Sequence, residues 1–353
     1  MIVNNEKPSV EIIIPHYRGI EMLERCLNSL AETSYPAMSI CIVDNASGEK
    51  EAISGLKGTF EALRVVSLPS NRGYAGGCNS ALFSSTSTYV VFLNDDTVVD
   101  PSWLSCLVNA AEEDCGISAL QPKILSLPAQ RSGKKVFDYA GGAGGLIDRL
   151  GYPYCYGRTG AHTEQDNGQY DRAGDIFWAS GVALFARRDC VTNLGGFDED
   201  FFMHMEEIDL CWRMRLQGQR IVSVPSAVVY HEGGASLAEG SAEKIYLNHR
   251  NNMVMLLKNR SSAALFIVFP LRLLLECAAA VLYLSTGRQR IQRAISVFRA
   301  LFDNLRCLPD IFRKRRAVQA MRRVADPVIF RDAPVSIVLG NMTSFRNAQR
   351  RTA

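Results

Sequence analysis

The sequence lacks paired cysteines, the usual sign of a structural zinc site or of a small disulfide-bonded fold. Ten cysteines are scattered along 353 residues, and none forms a Cys-x-x-Cys pair. The spacing therefore excludes zinc ribbons and small secreted scaffolds as classes. The first residues also lack the charged and apolar pattern of a secretory signal. From both absences we expect a reducing, cytoplasmic compartment.

Two common phosphate-binding signatures are missing from the glycine-rich segment at 71–79. This segment is neither the Gly-x-Gly-x-x-Gly of dinucleotide-binding folds nor a Walker loop. A nucleotidyltransferase on a similar sheet is expected to carry a basic, glycine-rich signature near the N-terminus, which is absent here. The glycines of 71–79 instead allow the backbone to approach a ligand closely.

Charge is nearly balanced in total but divided unevenly along the chain. From residue 258 onward there are 18 basic and five acidic residues, a net charge of +13, whereas residues 1–257 carry −10. We therefore predict an acidic domain at 1–257 and a basic, apolar helical extension at 258–353. Such an extension favours an anionic surface as its partner. A basic bundle that covers the acidic domain is the alternative.

Apolar strands alternate with helical patterns over the first hundred residues. Strands are predicted at 10–15, 39–43, 63–67 and 89–93, with helical segments between them. This alternation requires crossover connections, so an α/β fold with a mostly parallel sheet covered by helices is predicted.

Each of these four strands ends in a polar or glycine-rich cluster. Because the carboxyl ends of parallel strands share one edge of a sheet, the clusters are predicted to line one nucleotide-binding crevice. They contain Tyr17 and Arg18, Asp44 and Asn45, the segment 71–79, and Asn94, Asp95 and Asp96. Asp44 would accept hydrogen bonds from a base or a ribose, with a helix N-cap as the alternative role.

The fourth cluster has the chemistry of a hard-metal site. Asp95 and Asp96 follow directly on the buried strand 89–93. Carboxylate oxygens are the ligands that Mg²⁺ and Mn²⁺ prefer when the cation also bridges phosphate oxygens. A solvated turn that closes the strand is the alternative.

A second group of acids begins a helix after the apolar run 201–203. Burial beside that run would raise the pKa of Glu206 or Glu207, which suits a general base. The alternative is structural, because acids complement the start of a helix and Asp209 is spaced to pair with Arg213. The last two strands are predicted at 219–224 and 227–231. His231 ends the second of them, where a hydrogen-bonded structural role is the alternative to metal binding.

Trp178 opens a strand predicted at 177–185, after an irregular stretch at 126–175 that predicts either a substrate lid or an irregular surface loop. Its indole would stack on a sugar or shape an acceptor pocket, and core packing is the alternative.

The apolar stretch 263–284 is interrupted by Arg272 and Glu276. Two charges make an ordinary membrane span costly, so we expect an amphipathic bundle on the membrane surface. A soluble bundle and a true span are the alternatives. Basic residues interleaved with aliphatic runs favour lipid, and no nucleic acid is expected as partner.

Taken together, these motifs resemble the inverting glycosyltransferases of family 2, which have the nucleotide-sugar-binding GT-A fold, and within them bacterial rhamnosyltransferase-type enzymes. The resemblance covers about residues 9–257. It rests on six motifs in order: Ile12-Ile13-Ile14-Pro15, Val43-Asp44-Asn45-Ala46-Ser47, the segment 71–79, Leu93-Asn94-Asp95-Asp96-Thr97, Gly195-Gly196-Phe197-Asp198 and the segment 205–213.

The resemblance implies a role for each matching position. The donor site would consist of Pro15, Tyr17, Arg18, Asp44, Asn45, Asn71, Arg72, Gly73, Gly77, Asn79, Asn94 and Asp95. Asp96 and His231 would hold Mn²⁺ or Mg²⁺, Glu207 would be the base with Glu206 as the alternative and Asp209 beside it, and Trp178, Ser180 and Gly181 would meet the acceptor. This chain departs from the family pattern at Asn94, where the first acid is expected, and at Glu207, where the shorter Asp is usual.

The implied reaction is an in-line displacement that transfers a sugar from a dTDP- or UDP-linked donor to a saccharide or lipid-linked hydroxyl. Rhamnose is the sugar that the likeness suggests. The implied location is the cytoplasmic face of the membrane. A nucleotidyltransferase and a catalytically degenerate, membrane-associated scaffold are the competing interpretations.

Overall fold

The computed structural model describes residues 7–56, 63–160, 162–233, 240–285 and 289–338. The chain divides into two compact units. The first comprises Met1–Gly145, Cys155–Met214 and Gln219–Gly233, and the second comprises Leu146–Tyr154, Arg215–Gly218 and Gly234–Ala353. The predicted boundary at 257/258 therefore lies inside the second unit, which begins its continuous part at Gly234.

Strands and helices alternate from Val10 to His231. The strands are β1 (Val10–His16), β2 (Met38–Asp44), β3 (Leu63–Ser67), β4 (Tyr89–Leu93), β5 (Thr97–Val99), β6 (Ile117–Ser126), β7 (Gly145–Ile147), β8 (Pro153–Cys155), β9 (Arg158–Thr159), β10 (His162–Thr163), β11 (Gly174–Asp175), β12 (Ala183–Arg187) and β13 (Arg220–His231). The helices are α1 (Ile20–Ala31), α2 (Lys50–Gly55), α3 (Gly73–Leu82), α4 (Trp103–Glu113), α5 (Leu127–Arg131), α6 (Arg188–Asn193) and α7 (Glu206–Leu216), with a 3₁₀ turn at Glu199–Phe201.

A nine-stranded mixed sheet forms the centre of the first unit. Its order is β11-β13-β6-β12-β4-β1-β2-β3, and β5 pairs with β13. The half built from β4, β1, β2 and β3 is parallel, as the alternating pattern predicts. β12 is antiparallel to both of its neighbours, β4 and β6. The predicted α/β class, with a sheet covered by helices, is confirmed.

Burial on both faces explains why the parallel strands are apolar throughout. Every residue of β4 is buried, and Ile12 and Ile14 of β1 belong to the same core cluster as Leu23 and Leu27 of α1. Side chains alternate across a strand, so a strand with helices on both faces needs apolar residues at every position.

Two predicted strand boundaries are wrong. The strand predicted at 177–185 begins only at Ala183, because Phe177 and Trp178 form backbone hydrogen bonds with Gly145 outside the sheet. The two last predicted strands are one strand, β13, whose pairing with β6 shifts register between Val224 and Val228. A bulge of this kind bends a strand without ending it.

The second unit is helical. It contains α8 (Ala242–Asn259), α9 (Ser262–Ser285), α10 (Arg290–Arg306), α11 (Leu308–Met321) and α12 (Asp326–Ile329). By length and composition alone, α9 is apolar enough to cross a membrane. Arg272 and Glu276 of α9 are nevertheless buried and paired at 2.8 Å.

Candidate active site

The carboxyl end of β4 carries a buried histidine bridge. Asp95 Oδ2 lies 2.6 Å from His16 Nδ1, and His16 Nε2 lies 2.7 Å from Glu49 Oε2. Burial opposes a charge on His16, but hydrogen bonds to Asp95 and Glu49 outweigh it and raise its pKa. Burial also raises the pKa of Asp95. The bridge connects the carboxyl ends of β1 and β4 with the start of α2.

Asp96 and His231 lie together, although they are far apart in the sequence. His231 Nε2 is 3.2 Å from Asp96 Oδ1, and His231 Nδ1 is 3.0 Å from Asp138 Oδ1. Burial lowers the pKa of His231, but its hydrogen bonds to Asp138 and Asp96 outweigh burial and raise the pKa to about 10. The antiparallel pairing of β13 with β5 places Thr97 opposite His231 and thereby brings the two side chains together.

These residues fit half of a divalent-cation site. Asp96 provides a carboxylate, and His231 provides an imidazole nitrogen, Nε2, that faces it. The other nitrogen, Nδ1, is hydrogen-bonded to Asp138, and metal-binding histidines commonly have such a carboxylate partner. Within the described ranges no group of three or more His, Cys, Asp or Glu is arranged to hold a metal. The remaining oxygens would have to come from a diphosphate and water, as is usual for Mg²⁺.

Asn45 organises the glycine-rich segment at the end of β3. Its Oδ1 accepts a hydrogen bond from the Arg72 N–H at 2.8 Å, and its Nδ2 donates to the Gly73 carbonyl at 2.9 Å. Asn71 Oδ1 accepts from the Gly73 N–H. Asp44 is buried, and its Oδ1 accepts two hydrogen bonds from Ser47, one from the N–H and one from the hydroxyl. Asn45 and Asn71 therefore shape the loop, and Asp44 Oδ1 caps a turn.

Two glycines allow close backbone approach at the start of α3. A Cβ on Gly73, whose φ is +67°, would lie 2.2 Å from the Phe202 carbonyl oxygen. A Cβ on Gly77 would lie 3.2 Å from Pro15 Cβ. Further along the helix, Asn79 bonds both backbone groups of Phe197. Segment 71–79 is thus joined to the chain just before α7.

Three charged or aromatic side chains near the carboxyl ends of β1 and β3 are exposed to solvent. Arg72 is partly exposed and paired with Glu199. Tyr17 is exposed, and the Arg18 guanidinium stacks over its ring at 4.9 Å from the centroid. These side chains can therefore meet a ligand from solvent.

Glu206 and Glu207 begin α7, and one carboxyl oxygen of each is buried. The Oε2 atoms of both are buried and have no hydrogen-bond partner in the part of the chain that the structure describes. Burial, followed by the neighbouring charge of Glu207, raises the pKa of Glu206 well above its usual range. Burial raises the pKa of Glu207 to about 7. Because the Glu207 residue is also partly exposed, it is the better placed of the two to exchange a proton with a ligand.

Asp209 has a different environment. It pairs at 2.8 Å with Arg213, which also donates hydrogen bonds to the carbonyls of Leu194 and Gly196. This buried pair anchors α7 to the segment before it. Pairing with Arg213 is the structural alternative that the sequence analysis gave for Asp209.

One short segment lies between the two groups of acids. The Val182 carbonyl accepts a hydrogen bond from the Asn94 N–H at 3.0 Å, and the Gly181 backbone hydrogen-bonds the Glu207 carboxyl. The Tyr74 hydroxyl donates to the Gly181 carbonyl at 2.5 Å. Gly181 therefore touches the Glu207 carboxyl and Tyr74 of α3, while its neighbour Val182 touches the end of β4.

Trp178 and Ser180 lie beside this segment but face inward. Trp178 is 6 % exposed, and a Cβ on Gly145 would lie 2.1 Å from its ring. The Ser180 hydroxyl donates to the Ala140 carbonyl, and its N–H donates to Gln121. Core packing, the alternative given for Trp178, agrees with this placement.

Four site residues were not predicted from the sequence: His16, Glu49, Tyr74 and Asp138. His16 directly follows the strand predicted at 10–15, and this position is a signal that points to the crevice. Asp138 lies in the irregular stretch 126–175, where no periodicity identifies it. Glu49 and Tyr74 become recognisable only from the three-dimensional contacts described above.

The fold is of the GT-A class, and the chain is a glycosyltransferase. The chain carries a domain of glycosyl transferase family 2, whose model matches residues 11–127. This match agrees with the predicted family.

Two curated relatives and one solved structure are similar to the chain. It is 29% identical over 252 residues to the O-antigen biosynthesis protein RfbC of Myxococcus xanthus, a match that covers 68% of this chain and 18% of that protein. It is 26% identical over 257 residues to the N-acetylglucosaminyl-diphospho-decaprenol L-rhamnosyltransferase of Mycobacterium tuberculosis, covering 68% of this chain and 81% of the relative. The structure of GalNAc-T7 with UDP, GalNAc and Mn²⁺ has a similar fold, with a TM-score of 0.56, 13% identity and coverage of 72% of this chain and 48% of that one.

Proposed function

We propose that the protein transfers a sugar, with rhamnose as the proposed sugar, from a dTDP- or UDP-linked donor to a hydroxyl of a saccharide or lipid-linked acceptor, inverting the anomeric carbon. The observation that carries this proposal is the contact of the Glu207 carboxyl with the segment that also bonds the end of β4. A base and a cation site on two sides of one short segment are what an in-line displacement requires.

Glu207 is the proposed general base. A carboxyl whose pKa is about 7 is largely ionised at slightly alkaline pH and can still hold a proton, so it can accept the proton of an acceptor hydroxyl. The acceptor oxygen then forms a bond to the anomeric carbon, and the bond from that carbon to the diphosphate oxygen breaks. The electron pair of that bond leaves with the diphosphate, and no covalent bond to the protein is needed.

Asp96 and His231 are the proposed ligands of Mn²⁺ or Mg²⁺. When bound, the cation offsets the negative charge that develops on the departing diphosphate. Asp138 orients the imidazole of His231 through Nδ1. Support for the metal comes from the carboxylate and imidazole that meet there and from the similar fold that was solved with UDP and Mn²⁺.

The donor pocket is proposed at the edge formed by β1, β2 and α3. The exposed side chains of Tyr17 and Arg18 would face the nucleobase of the donor, and Arg72 would face its diphosphate. Gly73 and Gly77 would allow the backbone to approach the donor closely. Asn45, Asn71 and Asn79 hold this edge in place. Pro15, Asp44, Asn94 and Asp95 lie along the same edge and belong to the proposed site.

The proposed acceptor is a saccharide carried on a lipid, and the proposed location is the cytoplasmic face of the membrane. The relative from Mycobacterium tuberculosis is named for a diphospho-decaprenol substrate. The acceptor would enter beside Gly181, and Trp178 and Ser180 support that segment from behind.

A thermal-shift panel tests the donor and the metal together. UDP, dTDP and GDP are each added with and without Mn²⁺, and we expect a metal-dependent rise in melting temperature for UDP or dTDP. Asp96→Asn should abolish the rise, whereas Asp100→Asn, four positions along the same segment, should keep it, because Asp100 only caps the turn at Ser102. Failure of every diphosphate to stabilise the protein, with and without metal, would refute the proposal.

A further inference from the structure

One side of helix α9 is apolar and faces solvent along its whole length. Its exposed positions between the terminal serines recur at helical spacing and include no charged residue. They are Ala263, Phe266, Ile267, Pro270, Leu271, Leu274, Cys277, Ala278, Val281, Leu282 and Leu284. Phe266 is 85% exposed. A contiguous apolar stripe of this length on a solvent-facing helix marks an interaction surface.

Helix α10 carries a second stripe of the same kind. Its exposed large apolar residues are Ile291, Ile295, Phe298, Phe302 and Leu305. The two helices pack together through a small core that includes Ala280 and Val297. Neither of these core residues belongs to a stripe, because both are buried.

The buried side of α9 carries two charged residues that are paired within the second unit. Arg272 pairs with Glu276, donates to the Leu150 carbonyl at 2.7 Å and stacks on Tyr152 at 3.7 Å from the ring centroid. Glu276 also pairs with His249 of α8. A helix that crossed a bilayer would have to leave these partners, and a buried ion pair that loses its partners is strongly destabilising.

Positive charge accompanies the stripes. The exposed arginines of α10 are Arg290, Arg299 and Arg306, interleaved with its apolar residues. The chain from residue 258 onward has a net charge of +13. Apolar residues beside arginines are complementary to the interface of an anionic bilayer, where long side chains reach the headgroups while apolar groups enter the acyl region.

We propose that α9 and α10 insert side by side into the surface of an anionic membrane, with their stripes in the outer acyl region and neither helix crossing the bilayer. This proposal rests on the proposed function, because the membrane surface is where a lipid-linked acceptor would lie. Although α9 is long enough to cross a bilayer, in this arrangement it lies along the surface.

Vesicle flotation of the full chain tests the binding. We expect flotation with vesicles of phosphatidylcholine containing roughly 30% phosphatidylglycerol, and weaker flotation with phosphatidylcholine alone or at about 0.5 M salt. The variant Phe266→Ser/Ile267→Ser/Leu274→Ser should bind at least about tenfold more weakly, given the apolar area that it removes. Phe83→Ser is the matched control, because Phe83 is 58% exposed in the first unit, and it should float like the wild type.

The depth of α9 is measured at Cys277, which is exposed on its stripe. In a Cys115→Ser background, an environment-sensitive fluorophore on Cys277 should be quenched more by lipids labelled near the headgroup than by lipids labelled near the bilayer centre. Stronger quenching from the centre would indicate a span and overturn the proposal.

Three further outcomes would also overturn it. The first is a wild-type chain that does not float with anionic vesicles. The second is a triple variant that floats as well as the wild type. The third is a concentration-dependent dimer that forms without lipid and that the triple substitution abolishes while vesicle binding persists. Metal-dependent nucleotide binding by the triple variant is measured in parallel, because it reports on the first unit and separates this proposal from the proposed function.

Discussion

At the scale of single residues, the two adjacent glutamates differ in what they can do. Glu206 is 4% exposed, with a pKa raised by burial and by the charge of Glu207. Glu207 is partly open to solvent, with a pKa of about 7 and a backbone hydrogen bond from Gly181. The sequence pattern predicts that one of these two glutamates is the general base. Which of the two it is depends on how far each carboxyl is buried, and the adjacent residues in the sequence do not determine that burial.

Replacing Glu207 with Gln should lower kcat by about 10²–10⁴-fold, because the amide cannot accept the acceptor proton. A general base works in its ionised form, so wild-type activity should rise as pH increases through about 7. The variant should lose this rise and still show the metal-dependent thermal shift with nucleotide. Turnover is measured as nucleoside diphosphate release across pH.

Glu206→Gln is the matched comparison for that measurement. If Glu206→Gln abolishes turnover and Glu207→Gln retains both the rate and the pH profile, the base assignment is wrong.

Glu206 should also make the protein less stable at alkaline pH. Its pKa is raised in the folded state, so the folded protein keeps a proton that the unfolded chain has already released, and the free energy of unfolding falls as pH rises. Glu206→Gln removes this cost. We expect the variant to match the wild type near about pH 5 and to be more stable by about 1–3 kcal/mol near about pH 8.

Urea unfolding at both pH values measures the difference. Glu113→Gln, on the exposed end of α4, is the control and should change stability little at either pH. Equal stability of Glu206→Gln and the wild type at the higher pH would show that the carboxyl is hydrated in solution.

At the scale of elements, the sequence predicts the parallel half of the sheet and not the antiparallel half. β1 to β4 alternate with helices, and each step of that pattern is local. β12 lies between β4 and β6 and runs antiparallel to both. Its position and direction are determined by contacts between residues that are far apart in the chain. The same reason explains why β13 is one bent strand, since its continuity depends on pairing with β6 on both sides of the bulge.

A strained turn lies between segment 71–79 and helix α7. Phe202 has φ +62° and ψ −65°, and the Met203 N–H donates to the Phe201 carbonyl at 2.7 Å, which closes a γ-turn around it. The Phe202 carbonyl accepts from the Ala75 N–H. His204 and Met205 also have positive φ. Positive φ at three non-glycine residues so close together persists only where the surrounding structure holds it.

Gly73→Ala should disturb this turn. The new methyl group would meet the Phe202 carbonyl, and the positive φ of Gly73 disfavours alanine, so we expect a loss of about 2–4 kcal/mol of stability and a weaker nucleotide-dependent shift. Gly55→Ala is the control, because among the described residues no atom lies within 4 Å of a Cβ at that position. Calorimetry of both variants with and without nucleotide decides the matter, and equal melting temperatures would contradict the structural role of Gly73.

At the scale of the whole molecule, the compact units do not follow the order of the chain. Residues 146–154 and 215–218 belong to the second unit although they interrupt the first. Charge counts alone cannot reveal such an arrangement, which is why the sequence divides the chain at 257 and the structure does not. The basic helical character of the C-terminal part is nevertheless visible in the sequence.

Truncation should expose this organisation. A fragment that ends at residue 233 keeps Asp148, Leu150 and Tyr152 but lacks Ile337, Arg272 and Glu276, with which they form hydrogen bonds. We expect this fragment to melt at a lower temperature and to bind an apolar dye. A chain that ends at residue 338 retains all of these partners and should melt within about 2 °C of the full chain. A cooperative melt of the shorter fragment at the wild-type temperature would show that the first unit folds alone.

The peptide unit at Gly181 limits how this enzyme can be redesigned. Its carbonyl is held by the phenol of Tyr74 and its amide faces the carboxyl of Glu207. A library that varies position 74 to admit a different nucleotide sugar would therefore also weaken the positioning of the Glu207 carboxyl. Variants selected for a new donor at that position should carry compensating changes near 181, whereas libraries at Tyr17 or Arg18, which stand in solvent, are free of that penalty.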